Sequence, residues 1–339
     1  MVLNSEPELE SFLVKNRSIL ASLALVPVAG LLLSGCSSDA QSAPGDSGVS
    51  IVATTNVYAQ IAQTVAGEHA EVSEIIASTA QDPHSYEPTA RDKLAVSQAS
   101  IVLANGGGYD SFMDTLVQSL PQEQRDNLSL LHVVDSSPVA AEEAQGHGDE
   151  AEEHAHDEGG EHGHEHAEYN EHVWYDLDSM SALADALAAE LGKQDAANAA
   201  DYTRNAREFD AGIDQLAGEL SAAGLEGKSY LMTEPVPFHL LEDAGMVNKT
   251  PAGLSEAIEE GEGIAPLTLK NAEDLLAGKG ADVMVYNVQT EGTETKALSS
   301  VAKDAGVPVV ELTETITDGS TYLEWMQGNI ESLASALKG

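Results

Sequence analysis

Short runs rich in β-branched residues alternate with helical segments along both halves of the chain. The strand candidates are residues 50–55, 71–76, 101–104, 130–134, 229–233, 283–286 and 307–311. The helix candidates cover residues 57–66, 89–98, 109–120, 236–244, 267–276, 293–305 and 321–337. Such alternation indicates βαβ units with parallel strands that are covered by helices on both faces. We therefore predict two open parallel-sheet α/β lobes.

A single long helix is predicted between these two lobes, over residues 196–222. The segment contains no proline, and its only glycines are Gly212 and Gly218. Its apolar residues recur every three or four positions, and they are Tyr202, Ala206, Phe209, Ile213, Leu216 and Leu220. This spacing places them along one face of a helix. We expect a first lobe at 49–194, a linking helix at 195–222 and a second lobe at 223–339, with a rod that limits hinge opening.

The first 36 residues have the features of an export signal. Lys15 and Arg17 precede an apolar run at residues 19–33. Because a membrane-spanning helix needs about 20 apolar residues, this run of fifteen fits a signal peptide at residues 1–35 better.

The segment Leu-Ser-Gly-Cys that ends at Cys36 resembles the lipobox of bacterial lipoproteins. Cys36 is the only cysteine of the chain, so it has no internal disulfide partner. The resemblance implies a lipid anchor on Cys36, which would hold the protein on the extracytoplasmic face of the cell membrane. The Ser-, Gly- and Pro-containing residues 36–48 would then form a flexible tether.

The chain is strongly acidic, with 57 Asp and Glu residues against 15 Lys and Arg residues. Leaving out residues 142–171 still leaves 45 acidic residues against 15 basic ones, so the acidity belongs to the whole surface. Nucleic-acid binding requires basic patches, which excludes nucleic acid as a partner. A cation suits the negative field, although acidity equally serves solubility.

Residues 145–169 form a tract of histidines, carboxylates and glycines without lysine, arginine or large aliphatic residues. It carries six of the eleven histidines, which are His147, His154, His156, His162, His164 and His166. Neutral imidazole is a common zinc ligand, and such spacing can share an ion without a folded scaffold. We interpret the tract as an accessory metal-binding loop; the alternative is a solvated acidic linker.

Four metal-capable side chains stand where ligands bind in open α/β lobes, beyond the carboxyl ends of strands. His84 lies in QDPHSYEP after the second predicted strand, and His172 lies in EHVWYD where the tract ends. Glu234 closes the strand SYLMT, and Glu314 follows VPVVEL. Two lobes that face each other would bring these side chains to one cleft.

Two segments carry a resemblance to a known family. The segment DPHSYEPTARDKLAVSQASIVLANGGGYDSFMDTL and the later EHVWYDL resemble the signatures of zinc/manganese-type solute-binding proteins of bacterial metal ABC importers, although Glu171 replaces a proline usual there. The similarity extends over residues 49–338. It implies a monomeric binding protein, not an enzyme, that delivers a metal ion to a membrane permease driven by an ATPase.

Carried over by position, the resemblance implies His84 and His172 as ligands from the first lobe and Glu234 and Glu314 from the second. Zinc-type members with three histidines have His at the position of Glu234, whereas manganese-type members have Glu there and Asp at the position of Glu314. The histidine-rich tract favours Zn²⁺ as the transported ion, because imidazole clusters suit zinc better than manganese. Mn²⁺ is the alternative, and His239 is expected to be a helical surface or core residue.

Two other classes of protein compete with the importer hypothesis. A zinc-dependent hydrolase is suggested by His162, Glu165 and His166, which match H-x-x-E-H, but glycines break any helix there. A metal-buffering or adhesive surface lipoprotein would bind several ions weakly and lose them with the tract. Gly227-Lys228-Ser229 and the glycines at 106–108 do not complete a nucleotide-binding motif. We interpret His69 and His132 as surface residues, and we expect metal capture to weaken below about pH 6, where histidines protonate.

Overall fold

The structure is a computed structural model that describes residues 48–146 and 170–338. The predicted signal peptide, Cys36 and the tether up to residue 47 lie outside the described residues, as do the six histidines of the tract. In the part of the chain that the structure describes, no helix combines the length and the apolar character needed to cross a membrane.

The first sheet contains four parallel strands. These are β1 (Ser50–Thr55), β2 (Glu71–Ile76), β3 (Ile101–Ala104) and β4 (Ser129–His132), in the order β2-β1-β3-β4. Central β3 is buried along its whole length. It reads Ile-Val-Leu-Ala because helices cover both of its faces.

The second sheet repeats this arrangement. Its strands are β5 (Ser229–Met232), β6 (Val247–Asn248), β7 (Val283–Asn287) and β8 (Val309–Leu312), in the order β6-β5-β7-β8, and all are parallel. The two parallel sheets confirm the predicted fold class. The sequence gives no strand signal for β6, because it has only two residues and both are exposed.

Helices cover both sheets. Around the first sheet lie α1 (Asn56–Ala66), α2 (Ala90–Gln98), α3 (Ser111–Gln118), α4 (Gln122–Arg125), α5 (Pro138–Gly146) and α6 (Leu177–Gln194). They are followed by α7 (Ala199–Ala222), α8 (Phe238–Asp243), α9 (Leu254–Glu259), α10 (Pro266–Ala277), α11 (Thr293–Ala305) and α12 (Tyr322–Leu337). The predicted helices form with small shifts at their ends, whereas α6 is the longest element that the sequence reading missed.

Helix α7 is the predicted long helix, and it begins at Ala199 rather than at residue 196. All six apolar residues of its predicted face are buried. They belong to one apolar cluster that also contains Ile51 of β1 and Tyr230 of β5. A Cβ on Gly212 would lie 2.4 Å from Leu323 Cδ1, so glycine permits the close approach of α12. The two sheets therefore share a core through α7.

Polar side chains also connect the two halves. The Asn56 side chain donates to the Ile316 carbonyl at 2.7 Å and accepts from the Ile316 N–H at 3.0 Å. The Tyr175 hydroxyl donates to the carbonyl of Thr313 at 2.8 Å. Because an unsatisfied buried polar group costs about 1–3 kcal/mol, these bonds oppose separation of the halves.

We expect Phe209→Ala to lower the free energy of unfolding by about 3–5 kcal/mol, because it leaves a cavity in the α7 seam. The Phe209 ring is buried and lies 5.8 Å from the ring of Tyr322. The neighbouring Glu208 is exposed, so Glu208→Ala should change the same quantity by no more than about 0.5 kcal/mol. Urea denaturation followed by circular dichroism compares the two variants, and equal effects would contradict the single buried seam.

Candidate metal centre

The carboxyl ends of the strands in both sheets carry the polar residues that build the candidate site. In each sheet the chain passes from the first strand to an edge strand on one side and then continues on the other side of the first strand. Open α/β sheets bind ligands at the point where the strand order reverses in this way. Asn105 directly follows β3, and Asn287 ends β7. Thr54, Thr233 and Glu234 lie at or just beyond the ends of β1 and β5.

His84 is held by the local chemistry of the DPHSYEPT segment. The Asp82 carboxylate accepts the His84 N–H at 3.0 Å and the Ser85 hydroxyl at 2.7 Å, which forms an Asx turn. Beyond the turn, Asp92 accepts the Thr89 N–H at 2.7 Å and the Tyr86 hydroxyl at 2.9 Å. The capping box of α2 thus fixes the end of the loop that carries His84.

His172 is buried, and its ring orientation follows from Asn170. The Asn170 side-chain oxygen accepts the His172 backbone N–H at 3.0 Å, which identifies this atom as the oxygen of the amide. His172 Nδ1 lies 2.6 Å from the same oxygen, so Nδ1 carries the proton and donates. In neutral His172 the Nε2 atom therefore carries no proton, and its lone pair faces the site.

Asn105 holds the backbone of the segment that leads to His172. Its side-chain nitrogen donates to the Glu171 carbonyl at 3.0 Å. The Asp110 carboxylate accepts the N–H groups of Asn105 at 2.6 Å and of Gly106 at 2.9 Å, as well as the Thr54 hydroxyl. Gly106 has a φ of 80°, and a Cβ there would lie 2.8 Å from Val134 Cγ2. A buried polar network thus fixes the backbone just before His172.

Tyr109 lies between the two histidines and the second half of the chain. Its ring centroid is 4.9 Å from that of His84, 5.9 Å from that of His172 and 4.6 Å from that of Trp174. Its hydroxyl donates to Glu314 Oε2 at 3.0 Å. Since Tyr109 is fully buried, it sets the spacing between the imidazoles and Glu314.

Glu234 and Glu314 lie together and are bridged by one amide. The side-chain nitrogen of Asn287 donates to Glu234 Oε2 and, at 2.9 Å, to Glu314 Oε1. The side-chain oxygen of Gln289 accepts the N–H groups of Glu314 at 2.7 Å and of Thr315 at 3.1 Å. The loop after β8 is therefore shaped so that the Glu314 side chain turns inwards.

The carboxylate that approaches both histidines is Glu259, which the sequence reading missed. Glu259 Oε1 lies 3.2 Å from His172 Nε2 and 3.7 Å from His84 Nε2. One ligand atom from each of these three residues lies within 4.8 Å of the others, a spacing that a single ion can bridge. The sequence does not single out Glu259, because it lies within the acidic run AIEEGEG and the preceding strand β6 gives no strand signal.

Electrostatics at the site are dominated by buried negative charge. Burial and the neighbouring Glu171 and Glu234 carboxylates raise the pKa of Glu259 to about 9. Burial and the Glu234 charge raise the pKa of Glu314 to about 8. Among the described residues, no lysine or arginine forms a salt bridge with these three C-terminal-half carboxylates.

Burial changes the pKa of His172 in the opposite direction. Burial and the nearby His84 keep the pKa of His172 well below its usual value of 6.5. His172 is therefore neutral at pH 7, as a metal ligand must be. The uncharged His172 and the neighbouring His84 thus face a group of acidic oxygens that has no lysine or arginine partner among the described residues.

The other histidines of the described chain have separate roles. His239 is buried in α8, and its Nε2 lies 3.0 Å from the Asn170 carbonyl oxygen, so the core interpretation is confirmed. His69 and His132 are partly exposed and lie beside Asp201 and Asp114, respectively. They are surface residues, as predicted.

Comparison with known proteins identifies the family of the chain. Residues 51–336 match the family model described as ZnuA, zinc-uptake complex component A, periplasmic. The metal ABC transporter substrate-binding lipoprotein ScbA of Streptococcus cristatus is 24% identical over 330 residues, which cover 93% of this chain and 97% of the relative. The manganese ABC transporter substrate-binding lipoprotein PsaA of Streptococcus pneumoniae is 21% identical, with 94% and 98% of the two chains covered.

Among solved structures, FpvC from Pseudomonas aeruginosa, determined in complex with Mn²⁺, has the same fold. The TM-score is 0.65 at 21% identity, and the match covers 86% of this chain and 98% of FpvC. The family match includes every residue of the candidate site and both sheets apart from Ser50, the first residue of β1. The chain therefore belongs to the ZnuA family, the metal-binding substrate-binding proteins of ABC importers.

Proposed function

We propose that this protein captures Zn²⁺ outside the cytoplasm and delivers it to the permease of an ABC importer. His84, His172, Glu234 and Glu314 are the proposed ligands. The observation that supports this function is the meeting of two imidazoles, of which His172 is neutral at pH 7, with buried carboxylates that have no lysine or arginine partner in the described chain. A divalent cation supplies the missing charge, and binding nitrogen and oxygen together is ordinary zinc chemistry.

Capture and release, rather than catalysis, suit this donor set. Catalytic zinc has three protein ligands and an open position for water or substrate. Here four side chains are proposed as ligands, three of them buried, and carboxylates bind through one or two oxygens, so the protein can supply four or more donor atoms.

Manganese is the second candidate, and a specific observation favours it. Harder oxygen ligands suit Mn²⁺, and Glu234 and Glu314 supply up to four oxygens. PsaA carries manganese in its name, and FpvC was solved with Mn²⁺. The two imidazoles of the site and the six histidines of the tract support zinc, which remains the proposal.

The location and the partners follow from the same proposal. ScbA and PsaA are described as lipoproteins of ABC transporters. The lipobox-like segment at Cys36 supports a lipid anchor in the outer leaflet of the cell membrane, and the tether would let the folded part reach the permease and its ATPase.

A metal titration with the histidine-rich tract removed tests the function. We expect a variant in which a Gly/Ser linker replaces residues 147–169 to retain one tight site for Zn²⁺, measured by competition with a chelator. His84→Ala/His172→Ala in the same background should abolish that site. If the tract-deleted protein holds no tight ion, the importer function is rejected and metal buffering by the tract is favoured. Parallel titration with Mn²⁺ ranks the two ions.

Asn170→Ala should weaken Zn²⁺ binding by about 10- to 100-fold, the usual effect of losing a residue that orients a metal-bound histidine. The substitution removes the acceptor that fixes the His172 tautomer. Asn127→Ala removes the same group from an exposed position far along the chain and is the matched control. Equal affinities of the two variants would show that Asn170 does not orient the ligand.

Zinc uptake at pH 7 should release about one proton or more, because an ion must displace the proton that Glu314 holds below its pKa of about 8. Affinity should therefore rise with pH from about 6 to 8 and level off above the raised pKa. His172 contributes little here, since its pKa lies well below 6.5, which moves the expected pH dependence above the value inferred from ordinary histidines. Calorimetry at pH 7 in buffers of different ionisation enthalpy counts the protons. Uptake without proton release, or the same release from Glu314→Gln, would contradict this assignment.

A further inference from the structure

The two sheets have the same strand order, so each strand of the first has a counterpart in the second. The order β2-β1-β3-β4 corresponds to β6-β5-β7-β8. Asn105 follows β3 and Asn287 ends its counterpart β7. Each asparagine uses its side-chain nitrogen to hold the segment of a proposed ligand: Asn105 binds the Glu171 carbonyl before His172, and Asn287 binds Glu314. The equivalence therefore extends to the site.

The same correspondence places Glu259 opposite His84. His84 lies in the connection that follows edge strand β2, and Glu259 lies in the connection that follows edge strand β6. His172 and Glu314 are reached after β4 and β8, respectively. Each half thus sends one side chain from its edge-strand connection and one from the segment after its last strand. Glu259 completes this pattern, which the other four proposed ligands leave uneven.

The end of α9 fixes the direction of Glu259. Gly261 has a φ of 64°, its N–H donates to the Ile258 carbonyl at 3.1 Å, and the Glu262 N–H donates to the Ala257 carbonyl at 2.9 Å. These two bonds form a Schellman motif, which terminates the helix at Glu259. Leu254 at the other end of α9 is buried in the core under α10 and α11. The helix is therefore anchored, and its last side chain reaches the two imidazoles.

This position is unfavourable for a carboxylate unless a cation is present. The C-terminal end of a helix carries partial negative charge, which opposes an acidic side chain. The Glu259 side chain is only 14% exposed and is surrounded by the carboxylates of Glu171, Glu234 and Glu314. Within the described chain, Glu259 Oε1 is buried and accepts no hydrogen bond. Packing does not account for a glutamate here, whereas an ion between Glu259 and the histidines does.

We infer that Glu259 is a direct metal ligand, the C-terminal-half counterpart of His84, and that its carboxylate tunes the site between zinc and manganese. The inference rests on the proposed function and adds an oxygen donor to it. Glu259 is the most exposed of the three C-terminal-half carboxylates, and His84 is similarly exposed, so an arriving ion meets these two side chains before the buried His172, Glu234 and Glu314. A third acidic donor makes the site harder, which favours Mn²⁺ relative to a site with imidazole at the same place.

The test compares Glu259→Gln, Glu259→His and the matched control Glu262→Gln in the full chain. Glu262 is exposed and lies three residues away in the same acidic run, so its substitution makes the same chemical change, carboxyl to amide, without touching the histidines. Zn²⁺ and Mn²⁺ affinities are measured by chelator competition, and His84→Ala/His172→Ala defines the background that the histidine-rich tract contributes. The visible spectrum of bound Co²⁺ reports the geometry around the ion.

Glu259→Gln should lower the affinities for Zn²⁺ and Mn²⁺ by about 100-fold or more. Loss of a residue that only supports a ligand lowers metal affinity by about 10- to 100-fold. It should also alter the Co²⁺ spectrum, whereas Glu262→Gln should change neither. Glu259→His should restore Zn²⁺ binding much more than Mn²⁺ binding, a split that a purely structural role would not produce. Circular dichroism checks the fold of each variant, and Glu259→His keeps the test decisive if Glu259→Gln is unstable.

Two outcomes would overturn the inference. Affinities and a Co²⁺ spectrum of Glu259→Gln equal to those of Glu262→Gln would remove Glu259 from the ligand set. Equal recovery of the two ions in Glu259→His would remove its role in selectivity. In both cases loss of the tight site in His84→Ala/His172→Ala would leave the proposed function intact. Retention of a tight site in that double variant would instead reject the proposed site itself.

Discussion

Buried negative charge without an opposing lysine or arginine is the constraint on which the rest of this structure depends. Glu234 and Glu314 are almost inaccessible, and Glu259 lies beside them. The amide of Asn287 and the hydroxyl of Tyr109 satisfy part of their hydrogen-bonding capacity, but neither carries positive charge. A cluster of this kind persists only with bound protons or a bound cation. In the metal-free protein the raised pKa values of Glu259 and Glu314 keep these carboxyl groups protonated near pH 7. A metal ion competes with those protons for the same oxygens.

The imidazole side of the site is prepared before any ion arrives. His172 is neutral, and its tautomer is set by Asn170, so no proton has to leave the ring on binding. Its backbone is held by Asn105, which in turn depends on Asp110 and the tight turn at Gly106. The first half thus supplies imidazole donors, with His172 fixed and neutral, and the second supplies acidic donors whose charge state responds to the ion.

Much of the fold and of the site could be predicted from local patterns, because they depend on neighbours in the sequence. Helix α7 followed from its apolar spacing, and His84 and His172 stood out by their positions near strand ends. Helix α6, which packs along α7, was also predictable from local pattern, because Leu177, Met180, Leu183, Leu187 and Leu191 recur every three or four positions. Glu259 was not predictable in this way. Its importance depends on the pairing of a two-residue strand with β5, and no local pattern encodes that pairing.

The repeated strand order has a consequence for how such a protein can change its preferred ion. Each sheet offers the cleft a separate set of loops, and one set presents nitrogen while the other presents oxygen. Replacing a donor on one loop leaves the opposite wall and both strand frameworks untouched, since the donors lie outside the shared core around α7. The nitrogen donors of one wall and the oxygen donors of the other can therefore be substituted independently. Metal-ion selectivity can change in this way while the two sheets and their core stay the same.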